Sequence, residues 1–366
     1  MKSNYKPIGE LVERIDERNR DGSITTLIGV SIDKKFIPSV ANVIGTDLTS
    51  YKVIRKYDFA VSLMQVSRDE KIPVACQKEY DAAIMSPAYP IFRVKDENVI
   101  LPEYLEMWFM RSEFDREASF VAVGGVRGSM PWEEFAKLQL PVPDIEVQKE
   151  IVSSYRAITD RIALKRQIND NLAEYLNCIY VELAKSVQET VPLSEVCGYV
   201  TDKSVFSEIE TAVYISTENI LPDKQGVSSY GNTSASERVI HFREEDVLVS
   251  NIRPYFKKMW FATTEGGCNA DVLCFRASDK KYSYLLKSIL FQDGFFDYVM
   301  SGAKGTKMPR GDKNHIMQYQ IPCFSDQQLH KFNALASSVE QNQALNRQEM
   351  ASLETAKGIL LTTLSR

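Results

Sequence analysis

Gln139-Leu-Pro-Val-Pro-Asp144 and Gln320-Ile-Pro-Cys-Phe-Ser325 share one pattern at an offset of 181 residues, and each opens a long stretch of helical composition. At the same offset, Ala163-Leu-Lys-Arg-Gln167 falls on Ala344-Leu-Asn-Arg-Gln348. With small gaps the match extends further. Pro7-Ile-Gly-Glu-Leu-Val12 parallels Pro192-Leu-Ser-Glu-Val-Cys197, and Asp58-Phe-Ala-Val-Ser62 parallels Asp246-Val-Leu-Val-Ser250. Tyr104-Leu105 parallels Tyr284-Leu285, and Met130-Pro131 parallels Met308-Pro309. Each match is weak alone; their shared order carries the argument. A period of about 180 residues is too long for a solenoid and implies a duplicated domain.

Within each copy the texture changes once. Up to the quoted junctions, β-branched and aromatic runs alternate with Gly, Pro and Asn breaks. Thr211 to Ile215, Val247 to Ser250 and Lys258 to Thr263 have the composition of short strands. Pro102 to Arg111 and Tyr282 to Gln292 have helical patterns. That mixture implies an α+β globule at 1–143 and another at 186–324. The remaining segments, 144–185 and 325–366, contain no proline and a single glycine, Gly358. Rich in Ala, Leu, Gln, Glu, Lys and Arg, each is expected to form one long helix. Asp144 suits the N-cap of the first, and Ser325 with Gln328 has capping-box spacing at the second.

Apolar residues along 144–185 recur in steps of three and four: Ile151, Tyr155, Ile158, Ile162, then Leu172, Leu176, Ile179 and Leu183. The intervening seam positions are Lys165 and Asn169. Shifting by 181 gives Phe332, Ala336, Val339, Gln343, Asn346, Met350, Leu353, Lys357, Leu360 and Leu364. Both are heptad seams with a polar centre. An antiparallel pair brings Lys165 and Asn169 to the neighbourhood of Gln343 and Asn346. Such a polar layer penalises slipped registers, because a slip sets these groups against leucines. A helix of about 40 residues is about 60 Å long. The pair is expected to act as a rod between the globules.

The duplicated plan resembles the specificity subunit of type I restriction–modification systems. Asp246-Val-Leu-Val-Ser-Asn-Ile-Arg-Pro-Tyr-Phe-Lys-Lys-Met-Trp260 and the following Gly267-Cys-Asn-Ala-Asp-Val272 are similar to runs in that family's target recognition domains. The two proline junctions resemble those leading into its spacer helices, with Gln148 and Gln328 near the family's Glu-Gln position. The likeness spans nearly the whole chain and is strongest over 140–185 and 190–366. The first globule is more divergent, although Ser86-Pro87-Ala-Tyr89, Gly125-Val-Arg127 and Trp132 resemble one family variant.

The resemblance implies two target recognition domains separated by two long antiparallel coiled-coil helices. Each domain reads one half of a bipartite site in double-stranded DNA, and the helices set the unread spacer. Two methyltransferase subunits dock on the chain, and two motor-nuclease subunits join where the complex cuts DNA. S-adenosylmethionine, ATP and Mg belong to those partners; this chain holds no cofactor and no metal. The recognised bases do not carry over.

Two stretches of the second globule have DNA-contact chemistry. In Ser250-Asn-Ile-Arg-Pro-Tyr-Phe-Lys-Lys258, Asn251 and Arg253 offer the bidentate groups that read adenine and guanine edges. Lys257 and Lys258 suit phosphates, and Pro254 interrupts the strand. Family-wide recurrence of this run favours backbone or scaffold duty over base readout. In Gly302-Ala-Lys-Gly-Thr-Lys-Met-Pro-Arg-Gly-Asp-Lys313, the cations Lys304, Lys307, Arg310 and Lys313 face one acid, Asp312. Its glycines permit close approach of backbone to phosphate. The spacing is not that of a nucleotide-binding P-loop. The corresponding candidates in the first globule are Gln65, Arg68, Arg127 and Ser129.

Composition bounds the alternatives. The net charge of -5 opposes a free-standing DNA binder and fits a subunit that shares DNA with basic partners. The six cysteines form no Cys-x-x-Cys pair, and with His241, His315 and His330 alone no zinc spacing arises. They are expected to be reduced thiols. Neither an Asn/Asp-Pro-Pro-aromatic methyltransferase site nor G-x-G-x-x-G, G-x-S-x-G or Glu-x-Lys occurs. A non-catalytic chain is expected. Without a signal sequence or an apolar run of roughly 18 residues, a cytoplasmic location is expected. The rival reading, which the acidity supports, is a coiled-coil adaptor that joins proteins without sequence-specific DNA binding.

Overall fold

The computed structural model describes residues 4–39, 47–64, 66–122, 128–209, 213–228, 230–231 and 237–365. It is a mixed α/β chain that divides into two units. Unit 1 holds residues 1–165 and 348–366, and unit 2 holds 166–347. The helical segments at 144–185 and 325–366 form helices Ile145–Lys185 and Asp326–Thr363. Freedom from proline explains their length. Each contributes one part to each unit.

In unit 1 a four-stranded antiparallel sheet has the order Val12–Ile15, Ile91–Val94, Phe59–Val61, Val74–Cys76. Its strands are short but almost wholly apolar, and helix Pro102–Phe109 covers one face with Tyr104, Leu105, Met107 and Trp108. Strand Tyr5–Pro7 pairs with Gln139–Pro141 directly before the long helix. Leu364, from the end of the chain, is buried in this core.

In unit 2 the sheet has the order Cys197–Tyr199, Val272–Ala277, Val247–Ser250, Met259–Phe261. Helix Ser283–Leu290 packs on it, and Thr190–Pro192 pairs with Gln320–Pro322 before the second long helix. A second sheet joins Lys203–Val205, Arg238–Phe242, Gly266–Cys268 and Tyr214–Ile215. The backbone there is too close for side chains: a Cβ on Gly266 would meet the Val213 carbonyl oxygen at 2.4 Å.

One local device occurs in each unit. In unit 1, Asp58 ends a turn in which Tyr57 is left-handed, at φ 67°. Its carboxylate accepts the Arg55 N–H at 2.9 Å and pairs with Arg93 Nε at 2.9 Å. In unit 2, Asp246 follows Glu245 at φ 69°, accepts the Arg243 N–H at 2.7 Å and pairs with Arg276 Nε at 2.8 Å. Both aspartates are buried, where a carboxylate needs a cationic partner and N–H donors. The flanking ladder also agrees: Gln77 N–H donates to the Asp58 carbonyl, and Ala262 N–H to the Asp246 carbonyl, each at 2.8 Å.

Helix starts follow their sequence chemistry. Gln328 Oε1 accepts the Ser325 N–H at 2.9 Å while the Gln328 N–H reaches Ser325 Oγ, closing a capping box. Gln148 is buried and bonds Leu101 N–H, Val99 O and Pro143 O, which fixes the first helix to its globule.

Candidate nucleic-acid interface

The two basic stretches of unit 2 meet. After strand Val247–Ser250 the chain enters a 3-10 turn, Pro254–Phe256, bracketed by Arg253 and Lys257, both left-handed at φ 50°. Arg253 N–H donates to the Pro309 carbonyl at 2.8 Å, and Ile252 bridges Arg310 across the gap. Arg310 also exchanges backbone bonds with Lys304, closing the glycine loop on itself. At φ +94°, Gly305 takes a conformation that a side chain disfavours. Pro309 and Gly311 are buried, whereas 304–308 are exposed. The loop has a fixed root and a solvent-facing apex.

The candidate residues differ in their availability. Asn251 is 8% exposed; its N–H donates to Asp271 O, and its Oδ1 is buried without a hydrogen-bond partner. Gly311 packs so closely that a Cβ there would come within 3.0 Å of that oxygen. The amide that base-reading chemistry suggested at the surface therefore lies inside. Arg253 is half-buried, with its Nε also unpartnered. Lys258 Nζ donates to Thr217 O at 2.8 Å. Lys257 shares the Asp293 carboxylate with Lys224, at 2.9 and 2.8 Å, and both ammonium groups hold that carboxyl below its usual range.

At the glycine loop, Arg310 forms a two-point contact with Asp271 at 3.1 and 3.4 Å. Lys304 pairs with Asp312, whose carboxylate also caps helix Lys313–Met317 through the N–H groups of Asn314 and His315. The lysine contact and these N–H bonds pull the Asp312 carboxyl down to about 2. Lys307 and Lys313 are exposed and have no carboxylate partner among the described residues. Lys313 Nζ lies 5.7 Å from the Tyr199 ring centroid. Asp271, Asp293 and Asp312 thus temper the positive charge of this face, a feature that the run of cations did not reveal.

In unit 1, Gln65 and Arg127 lie outside the described residues. Arg68, on helix Val66–Asp69, is exposed and paired with Asp69 at 2.8 Å. Ser129 is half-buried beside Gly128, which has φ +73° and packs on the start of that helix. A Cβ on Gly128 would lie 2.4 Å from Ser67 Oγ. The structure therefore brings Arg68 and the 128–129 turn together.

The seam residues also find partners. In unit 2, Asn346 Nδ2 donates to Asn169 Oδ1 at 2.8 Å, and Gln343 Nε2 donates to the Asn169 carbonyl at 2.8 Å. Gln343 and Asn346 are buried, on the same helix as buried Phe332, Ala336 and Val339. In unit 1, Lys165 Nζ pairs with Glu349 at 2.9 Å, and Arg161 bonds the same carboxylate. A charged neighbour absent from the seam count thus takes up Lys165.

All six cysteines are free, and among the described residues no group of His, Cys, Asp and Glu has the arrangement of a metal site. No described helix is long and apolar enough to cross a membrane. A cavity of about 610 Å³ in unit 2 is lined by Lys224, Trp260, Phe261, Lys287, Glu340 and Arg347, among others. Lys287 is paired with Glu340 across it.

No protein-family model matches the sequence, and no curated protein matches it. Among solved structures, the chain is similar to the type I restriction–modification S subunit from M. genitalium. The identity is 12%, with a TM-score of 0.55 over 99% of this chain and 96% of that one. It is also similar to a chain of a type I R-M system solved for complex assembly and conformational transition (16% identity, TM-score 0.47, 99% and 97% covered). A third similar structure is the HsdS subunit from Thermoanaerobacter tengcongensis (17%, 0.36, 100% and 97%). The M. genitalium likeness gives the chain the fold of a type I S subunit, the family that its sequence resembles.

Proposed function

We propose that this chain is the sequence-specific DNA-recognition subunit of a type I restriction–modification complex and performs no chemistry itself. The observation that carries the reading is the junction of the 250–258 turn with the 302–313 loop, on a fold shared with an S subunit. A fixed root with an exposed apex bearing Lys304 and Lys307 suits phosphate contact, which positions a protein on the duplex. Specificity then falls to neighbouring side chains.

The matching sheet orders and the paired Asp58–Arg93 and Asp246–Arg276 turns support a duplicated domain. In this reading 1–143 and 186–324 each contact one half-site. The helices 144–185 and 325–366 form an antiparallel coiled-coil spacer on which two methyltransferase subunits dock. The Asn169–Gln343–Asn346 bonds favour one register for that pair. Methyl transfer with S-adenosylmethionine, and any ATP- and Mg-dependent cleavage, belong to the partners.

Methylome sequencing of the host with and without the chain tests the reading. A modified bipartite motif should vanish on deletion. Exchanging residues 1–140 with those of a relative should alter one half of that motif, and a one-turn insertion in Ile145–Lys185 should lengthen its spacer. Unchanged methylation on deletion, or binding without sequence preference in a gel shift with competitor DNA, favours a protein adaptor.

A further inference from the structure

Tyr255 and Phe256 are 48% and 40% exposed, although each carries a large ring that water disfavours. Their ring centroids lie 4.7 Å apart, so they form one apolar projection. The turn beneath them is held on several sides. Pro254 is buried, and the Arg253 N–H is bonded to Pro309 O. The Phe256 and Lys257 carbonyls accept the Asp223 and Lys224 N–H groups, each at 2.9 Å, and the Lys257 ammonium is pinned to Asp293. Two non-glycine residues are kept left-handed at its ends, a strained arrangement that persists only where the surroundings over-determine it. The backbone that carries the rings is therefore fixed on several sides. The glycine loop tied to this turn adds exposed Met308 and the cations Lys304 and Lys307.

We propose that Tyr255 and Phe256 form a wedge that enters the DNA of the unit 2 half-site and unstacks one base step. This rests on the DNA-recognition reading above. The exposed Lys304 and Lys307 beside the projection favour a polyanion over a hydrophobic protein face, and an opened base step offers π-faces on which an aromatic pair can stack. Insertion reads deformability, so the half-site should contain a pyrimidine–purine step at a position whose base edges are not contacted.

The test uses the complex of this chain with its methyltransferase subunits. Its probe is a duplex carrying the methylome-defined motif, with 2-aminopurine scanned through the unit 2 half-site. One position should brighten on binding. The double variant Tyr255→Ala, Phe256→Ala should lose that signal and bind about tenfold more weakly. Its salt dependence should stay as in the wild type, because no charge is removed. Tyr255→Phe should keep the signal. The wedge is overturned if the wild type binds the motif and no position brightens. It is equally overturned if the double variant brightens normally, or loses its methyltransferase subunits while free chain still binds DNA as the wild type does. A wild-type complex with no preference for the motif overturns the recognition reading itself, and the wedge with it.

Discussion

Units 1 and 2 place the same turn at the same sheet position, yet continue from it differently. In each, a buried aspartate accepts a backbone N–H three residues back and an arginine from the adjacent strand. Beyond the turn, unit 2 builds the strained Pro254–Phe256 turn locked to a glycine loop, whereas unit 1 sets a short helix, Val66–Asp69, against the 128–129 turn. The shared part is wholly concerned with satisfying buried charge. The divergent part carries the exposed cations and, in unit 2, exposed rings. Under the proposed function this separation is useful: the energetics of the frame can stay fixed while the apex changes.

The frame should respond most strongly. Asp246→Ala removes the carboxylate that Arg276 and the Arg243 N–H share, and should destabilise unit 2 by about 2–3 kcal/mol in chemical denaturation. Asp58→Ala should cost unit 1 a similar amount or less, because Arg93 is partly exposed to water. A large loss on one side with none on the other breaks the equivalence. The polar layer comes next. Asn169→Ala removes one acceptor of the buried Asn346 amide, and should cost about 1 kcal/mol. A variant as stable as the wild type shows that water replaces the lost acceptor, and that the layer does not hold the register.

The sequence made the frame only partly legible. Long helices were visible because proline is absent from them and seam residues recur at a fixed period, and Val247–Ser250 forms a strand as its composition suggests. The Asp246–Arg276 pair was hidden, because 30 residues separate the partners and only sheet order makes them neighbours. One signal existed: Asp58 and Asp246 occupy matching places in the repeat. At the candidate interface, residue type pointed to both basic stretches but not to their junction. It also gave no sign that Asn251 is interior, since the amide that reads adenine is the same group that fills a buried turn.

Smaller effects separate the two apices. Lys304→Ala with Lys307→Ala should weaken DNA binding about tenfold across all sequences and lower the salt slope by about one per lost phosphate contact. Arg68→Ala in unit 1 should do less, because it removes one cation that is paired with Asp69, where the unit 2 variant removes two and only Lys304 is so paired. An equal or larger effect at Arg68 shows that unit 1 anchors the DNA. Binding isotherms at several salt concentrations, for each variant, distinguish the two outcomes.

The smallest change concerns Asp312, whose carboxyl lies at about 2 against an ordinary 3.8. A lowered value means that the carboxylate is more stable folded than unfolded. Its pairing is complete above 3.8 and is lost as pH falls toward about 2. At neutral pH the carboxylate is charged and, under the proposed function, competes with phosphate for Lys304. Asp312→Asn keeps a good N-cap for helix Lys313–Met317 while removing the charge. It should tighten non-specific binding by a few-fold and steepen the salt slope by about one or less. If Asp312→Asn instead weakens binding while leaving the helix intact, the carboxylate orients Lys304 toward the phosphate, and the acid belongs to the reading apparatus.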